Sequence, residues 1–193
     1  MTTALELRDI ALGEFAAAGY AGTSINRIAG IAGISKSAVL YHFASKEALL
    51  EQAVSPAIDR MEEMFLRLEA TALTAQARRE FVEQFTDFLL DHRLEVHLFI
   101  NQGPSLVDVP VVERANGIVR RLAAYFASTT ASTEEKMRFG IALGGAAYML
   151  CSEHSLELEA APVDETRAAL VSIMGELLAP STARSAPHAA PAA

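Results

Sequence analysis

Apolar residues along this chain recur every three to four positions, and no stretch alternates apolar and polar in twos. Residues 3–18 place Leu7, Ala11, Phe15 and Ala18 on one side, and Gly19 stops the pattern. Two short periodic segments follow, over 24–31 and 35–42. A longer one starts at Lys46, with Leu49, Leu50, Ala53 and Val54 inward. Pro56 removes one backbone hydrogen bond from that helix and is predicted to kink it. Met61, Met64, Phe65 and Leu68 then resume the stripe. Further helices are predicted over 78–93, 95–102, 110–127, 132–155 and 163–178. The expected fold is all-α, with about nine helices. From Pro180 onward the chain is mostly Ala, Pro and Ser, the composition of a disordered tail.

The densest local signals lie between Ser24 and Lys46. Ser24 or Thr23 is placed to cap the first short helix, accepting a hydrogen bond from an N–H left open in its first turn. Ile25, Ile28 and Ala29 form one apolar face. Gly33, four residues after Ala29, can take the positive φ that ends a helix and redirects the chain. Ser35 caps the second short helix, whose inner side is Ala38, Val39 and Phe43, and Ser45 caps the long one. Ala29 is small enough to let two helices cross near the turn. This is the pattern of a helix-turn-helix, whose second helix enters the DNA major groove. Lys36, Ser37, Tyr41 and His42 project outward from that helix. Ser35, Ser37 and Ala38 are short enough for close approach to bases and phosphates. Lys46 opens the next helix, where an ammonium and free N–H groups together suit a phosphate.

Taken together, Ala11-Leu12-x-x-Phe15, Gly19-Tyr20, Thr23-Ser24-Ile25, Ile28-Ala29, Ala32-Gly33-Ile34-Ser35-Lys36, Tyr41-His42-Phe43 and Ser45-Lys46-Glu47-x-Leu49-Leu50 resemble the TetR family of transcriptional regulators. The resemblance covers about the first fifty residues. It implies a three-helix DNA-binding domain over 1–46 and a helical domain for ligand binding and dimerisation over 47–179, followed by the tail at 180–193. It also implies backbone contacts from Thr23, Ser24 and Asn26. Lys36, Ser37, Ala38, Tyr41 and His42 would lie in the groove, beside Ser35, and Lys46 would anchor the exit. The sequence departs from the family at two positions. Leu40 stands where a tyrosine is usual, with Tyr41 one residue later, and Ser37 stands where glycine is common. Tyr41 therefore has two readings, a DNA contact or packing at the domain interface.

Charge is divided unevenly. The chain carries −8 overall, yet residues 1–46 hold four basic side chains against three acidic ones. The remaining residues hold twelve basic against twenty-one acidic, and no acid falls between Phe15 and Lys46. The acid-free window coincides with the helix-turn-helix, where phosphates would approach. With so little positive charge, non-specific affinity is expected to be modest and binding to depend on dimerisation. Cys151 is the only cysteine, and neither a signal peptide nor an apolar run long enough for a membrane span is visible. A cytoplasmic protein without membrane contact is the expectation.

The remainder carries no motif. Phe65, Phe85, Phe88, His92, Phe99, Phe139, Tyr148 and His154 are candidates to line an apolar cavity. The resemblance implies such an effector site, whereas periodicity alone implies a core. Gly140, Gly144, Ala147 and Cys151 recur as a ridge of small side chains, and Leu170, Met174 and Leu177 lie in the stripe of the last helix. The family's pairing of its last two long helices across a two-fold axis makes these the candidate dimer interface. No set of four ligands suggests a zinc site, and no nucleophile or phosphate-binding motif is present. No cofactor and no catalytic residue are expected. The expected function is a homodimeric repressor released from a palindromic, double-stranded operator by a small-molecule effector. The alternative is a helical small-molecule binding protein or enzyme that has lost DNA binding.

Overall fold

The computed structural model describes residues 3–106, 109–129, 132–152 and 161–179. Among them every regular element is helical: α1 (Ala4–Ala18), α2 (Ile25–Ala32), α3 (Lys36–His42), α4 (Lys46–Glu69), α5 (Ala75–Asp91), α6 (Arg93–Gln102), α7 (Pro110–Thr129), α8 (Thr133–Ser152) and α9 (Val163–Leu178). A 3-10 turn, Gly103–Leu106, follows α6. The all-α expectation stands. The predicted tail at 180–193 and the end of the helix predicted to 155 lie outside the described residues.

The first three helices make a head and α5–α9 a body, and local chemistry starts and stops the head helices. The hydroxyls of Ser24, Ser35 and Ser45 accept from the N–H groups of Arg27, Ala38 and Ala48 at 3.0–3.2 Å. Each satisfies a donor that the first turn leaves open. Gly33 sits at φ 68°, in the left-handed region where a side chain is strained, and turns α2 into α3. Gly22 answers a different need. A Cβ there would lie 2.5 Å from the Ala18 carbonyl oxygen, so the tight passage from α1 to α2 excludes any larger residue.

The head closes on α4. Leu7, Ala11 and Phe15 of α1, Ile28 and Ala29 of α2, and Val39 of α3 are buried with Leu49, Leu50 and Ala53 of α4. The α4 helix runs unbroken through Pro56 to Glu69. It carries Ala57, Ile58, Met64 and Phe65 into the packing of the body, so one apolar cluster spans head and body. The sequence places the next helix three residues late, since Thr74 caps α5 through the Ala77 N–H at 3.1 Å. His92 is not on a helix face. It is the junction residue between α5 and α6, with φ −119° and ψ 37°.

Ion pairs tie the outer helices. Arg114 of α7 reaches Asp59 at 2.7 Å and Glu62 at 2.6 Å on α4, and Arg121 reaches Glu69 at 2.7 Å. Arg167 of α9 holds Asp87 of α5 through two bonds, 2.6 and 3.0 Å. That pairing pulls the Asp87 carboxyl below its ordinary range. A depressed carboxyl pKa stabilises the fold above its unfolded value, and the contribution is lost as pH falls through the folded value. The pair is partly exposed, so its worth is small, up to about 1 kcal/mol. Asp87→Asn is expected to lower stability to urea by that amount at pH 7. The gap between variant and parent should close as the titration descends through pH 4 and below.

Candidate DNA-reading surface and ligand cavity

The α3 helix turns its two sides in opposite directions. Val39 and, at its C-terminal cap, Phe43 are buried, while Lys36, Ser37, Leu40, Tyr41 and His42 face out. Tyr41 is 86% exposed, and its ring meets only the edge of His42, with centroids 5.5 Å apart. Exposure on that scale leaves the packing reading of Tyr41 without support. Ser35 spends its hydroxyl on the cap and on Ser37, 2.9 Å away. Ser24, the cap of α2, and Asn26 on that helix are exposed, and Ala38 is half-buried.

Two expectations need correction. Thr23 is only 2% exposed. Its hydroxyl donates to the Gly19 carbonyl at 2.8 Å, with the Glu14 carbonyl 3.1 Å away, and its own N–H bonds back to the same turn. No polar group of Thr23 side chain or amide remains for a phosphate; it closes the loop after α1. Lys46 is largely committed inward. Its ammonium donates to the carbonyls of Tyr20 (2.8 Å) and Thr23 (3.0 Å) and lies 4.1 Å from the centre of the Tyr20 ring. That leaves one N–H of the ammonium beyond these two bonds. Arg27 is paired with Glu14. Among the described residues, then, Lys36 is the cation of the reading helix that enters no ion pair.

Gln102, at the end of α6, joins the body to the head. Its amide oxygen accepts from the Tyr20 N–H at 2.7 Å, and its amide nitrogen donates to the Phe15 carbonyl at 2.8 Å. The sequence gives no signal of this clamp, because both partners are backbone atoms more than eighty residues away.

In the body, an apolar cavity of about 400 Å³ opens between α4, α5, α6, α7 and α8. Of the candidate lining residues, Phe85, Phe88, Phe99 and Tyr148 meet there. Phe65 does not; it is buried elsewhere, against Tyr125 and beneath Arg121. Phe139 stacks on Phe126 and borders a second cavity of about 260 Å³. His92 stands behind the wall, packed on Phe88 and 3.2 Å from Glu95. His154 lies outside the described residues. Glu95, Asn116 and Met61 line the cavity and were not anticipated. A groove of about 500 Å³ beside α7 is rimmed by Glu62, Arg114 and Arg121, whose charges already satisfy one another.

The dimer candidates divide. Gly140 and Gly144 are exposed, and Ala147, Leu170 and Leu177 are half-buried. Cys151 and Met174 belong to the subunit's own core, which corrects their assignment to an interface. The reason is helical phase. The small ridge lies about one residue away from the exposed apolar residues of α8, Met137, Ile141, Tyr148 and Met149; on α9, Ile173 is exposed as well. Gly144 and Ala147 also line the cavity. Burial pushes the Cys151 thiol up to about 11, so it stays protonated at neutral pH. Among the described residues no cluster of His, Cys, Asp and Glu is arranged to hold a metal, and no helix is long and apolar enough to cross a membrane.

A short capped helix with an outward polar face, braced by two others, defines a helix-turn-helix DNA-binding regulator. Residues 7–53 match the family described as bacterial regulatory proteins, tetR family. The whole fold is similar to three solved regulators. SCO3833 of Streptomyces coelicolor A3, a TetR-family regulator, is 25% identical, with a TM-score of 0.64 over 90% of this chain and 89% of that one. The ketosteroid transcriptional regulator KstR2 of Mycobacterium tuberculosis is 16% identical, with a TM-score of 0.62 over 90% and 93%. The fatty acid degradation regulator FadR of Bacillus halodurans is 11% identical, with 0.60 over 91% and 94%. No curated protein matches the chain. The match over residues 7–53, together with the shared fold, supports a DNA-binding transcriptional regulator of the TetR type.

Lys46→Met strands two backbone carbonyls in the head and should cost about 1–3 kcal/mol in urea unfolding. Lys36→Ala touches no internal partner and should change stability by less than about 0.5 kcal/mol.

Proposed function

We propose that the protein is a homodimeric repressor that binds a palindromic operator and is released by a small molecule held in the body cavity. In this reading residues 1–46 are the reading head and 47–179 the body. Each subunit lays α3 in the major groove, with half-sites about 34 Å apart or somewhat more. Lys36, Ser37, Ala38, Tyr41 and His42 meet the groove, and Ser24 and Asn26 meet the backbone. Ser35 fixes the helix start, and Lys46 offers its remaining N–H to a phosphate. The single observation that carries the reading is α3 itself, a helix without acids that buries Val39 and presents Lys36 and a largely exposed Tyr41.

The exposed apolar residues Met137, Ile141, Tyr148 and Ile173 support pairing of α8 and α9 between subunits. Gly140 and Gly144 provide the close approach, and Leu170 and Leu177 flank it. The relatives named for ketosteroid and fatty acid metabolism carry apolar substances in their names, and the apolar cavity here is of a size that suits such a molecule. Phe85, Phe88, Phe99 and Tyr148 would surround it. The cavity serves binding rather than catalysis. Bound ligand releases DNA only to the extent that it prefers the state with the wrong head spacing.

The test is a fluorescence-anisotropy titration against a duplex from the chain's own upstream region, with a scrambled duplex as control. Two subunits per site and at least about a hundredfold preference over the scrambled duplex are expected. Equal, weak binding to both would sink the reading. In the same assay Lys36→Ala should shrink the slope of log affinity against log salt by about two per dimer, one phosphate contact per subunit.

A further inference from the structure

We infer that the cavity selects an apolar ligand with a hydrogen-bond-donating, preferentially cationic head, seated on Glu95, and disfavours carboxylates. This rests on the reading of the cavity as a ligand site and adds the chemical class. The lining is apolar on four of its five helices apart from Asn116 and the Tyr148 hydroxyl. Glu95 is the one charged side chain among the described residues that line it.

Glu95 lines the cavity from α6 and is anchored on one side by His92. Its side chain is 12% exposed, so water screens it little. His92 Nδ1 engages Oε1 at 3.2 Å, and Oε2 accepts no hydrogen bond from a described residue. A carboxylate poorly hydrated and half-satisfied gains most from a donor that carries positive charge, since charge-assisted bonds are roughly twice as strong as neutral ones. An anionic head at the same point would meet a like charge across a low-dielectric cavity, with no Lys or Arg in the described lining to offset it.

The tail has room in the opposite direction. The second cavity shares Val119, Leu122, Leu143 and Gly144 with the first and includes no α6 residue, so the apolar space extends along α7 and α8 away from Glu95. Lys136 borders that far end, but it is exposed. A carboxylate turned to meet it would form a solvent-screened pair worth little. The shielded charge at Glu95 therefore decides the class.

Three probes of one chain length separate the possibilities: decylamine, 1-decanol and decanoate. Each is titrated calorimetrically into the full-length protein below its micelle concentration. Decylamine should bind at least about tenfold more tightly than decanoate, with decanol between. Glu95→Gln should bring the amine and carboxylate within about threefold of each other. Leu143→Phe, which fills the space where the cavities meet, should weaken all three. Thermal unfolding of each free variant establishes that it is folded. If decanoate matches or exceeds decylamine, or Glu95→Gln leaves the ratio intact, while Leu143→Phe still weakens binding, the class is wrong and the cavity reading survives. If none of the three shows saturable binding sensitive to Leu143→Phe, both are overturned.

Discussion

Head and body share one helix, and the rest of the structure hangs on that. Leu49, Leu50 and Ala53 of α4 complete the core beneath α1, α2 and α3, and Ala57 and Ile58 one turn later form part of the cavity wall. The head is too small to bury a sufficient core alone, as three short helices leave most of their surface in water. It borrows α4 for that purpose. Whatever shifts α4 at Ala57 therefore acts on a helix whose other end is fixed in the head.

The second tie is polar. Gln102 bonds the Phe15 carbonyl and the Tyr20 N–H across more than eighty residues of sequence. These are groups at the end of α1, where the chain leaves the helix and backbone partners run out. Gln102 stands on the same helix as Glu95 and Phe99, one to two turns from the cavity. Any rigid displacement of α6 must stretch those two bonds or carry the backbone at Phe15 and Tyr20 with it. The body thus meets the head at two points, one apolar along α4 and one polar at Gln102.

What was legible in the sequence follows from the range of the forces involved. Caps at Ser24, Ser35 and Ser45 and the left-handed turn at Gly33 depend on neighbours within four residues, and each was readable. The inward side of α3 was readable as well, because Val39 and Phe43 have no other phase available. Thr23 was misread because a hydroxyl before a helix can cap or fold back, and the choice depends on α1. Lys46 looked like a free cation, since carbonyl acceptors at Tyr20 and Thr23 leave no trace in side-chain spacing. The aromatic residues were read as one wall, but Phe65 and Phe139 sit at other depths. Periodicity fixes the face of a helix without saying which neighbour it meets. Glu95 passed unnoticed for the same reason: a lone acid on a helix ordinarily faces water.

The uneven charge has a consequence for how such a molecule moves among DNA sites. A regulator competes against a genome of decoys, and its occupancy of the right site depends on how little time it loses on the wrong ones. Most DNA-binding proteins are held to every duplex by a basic surface. Here Arg27 and most of Lys46 are spent on the head's own architecture, and residues 47–193 carry nine more acids than bases. That acidic excess opposes non-specific approach to a duplex over the roughly 8 Å within which charges are felt at physiological salt. An acidic body of this kind would keep unproductive encounters brief and leave the molecule freer to search.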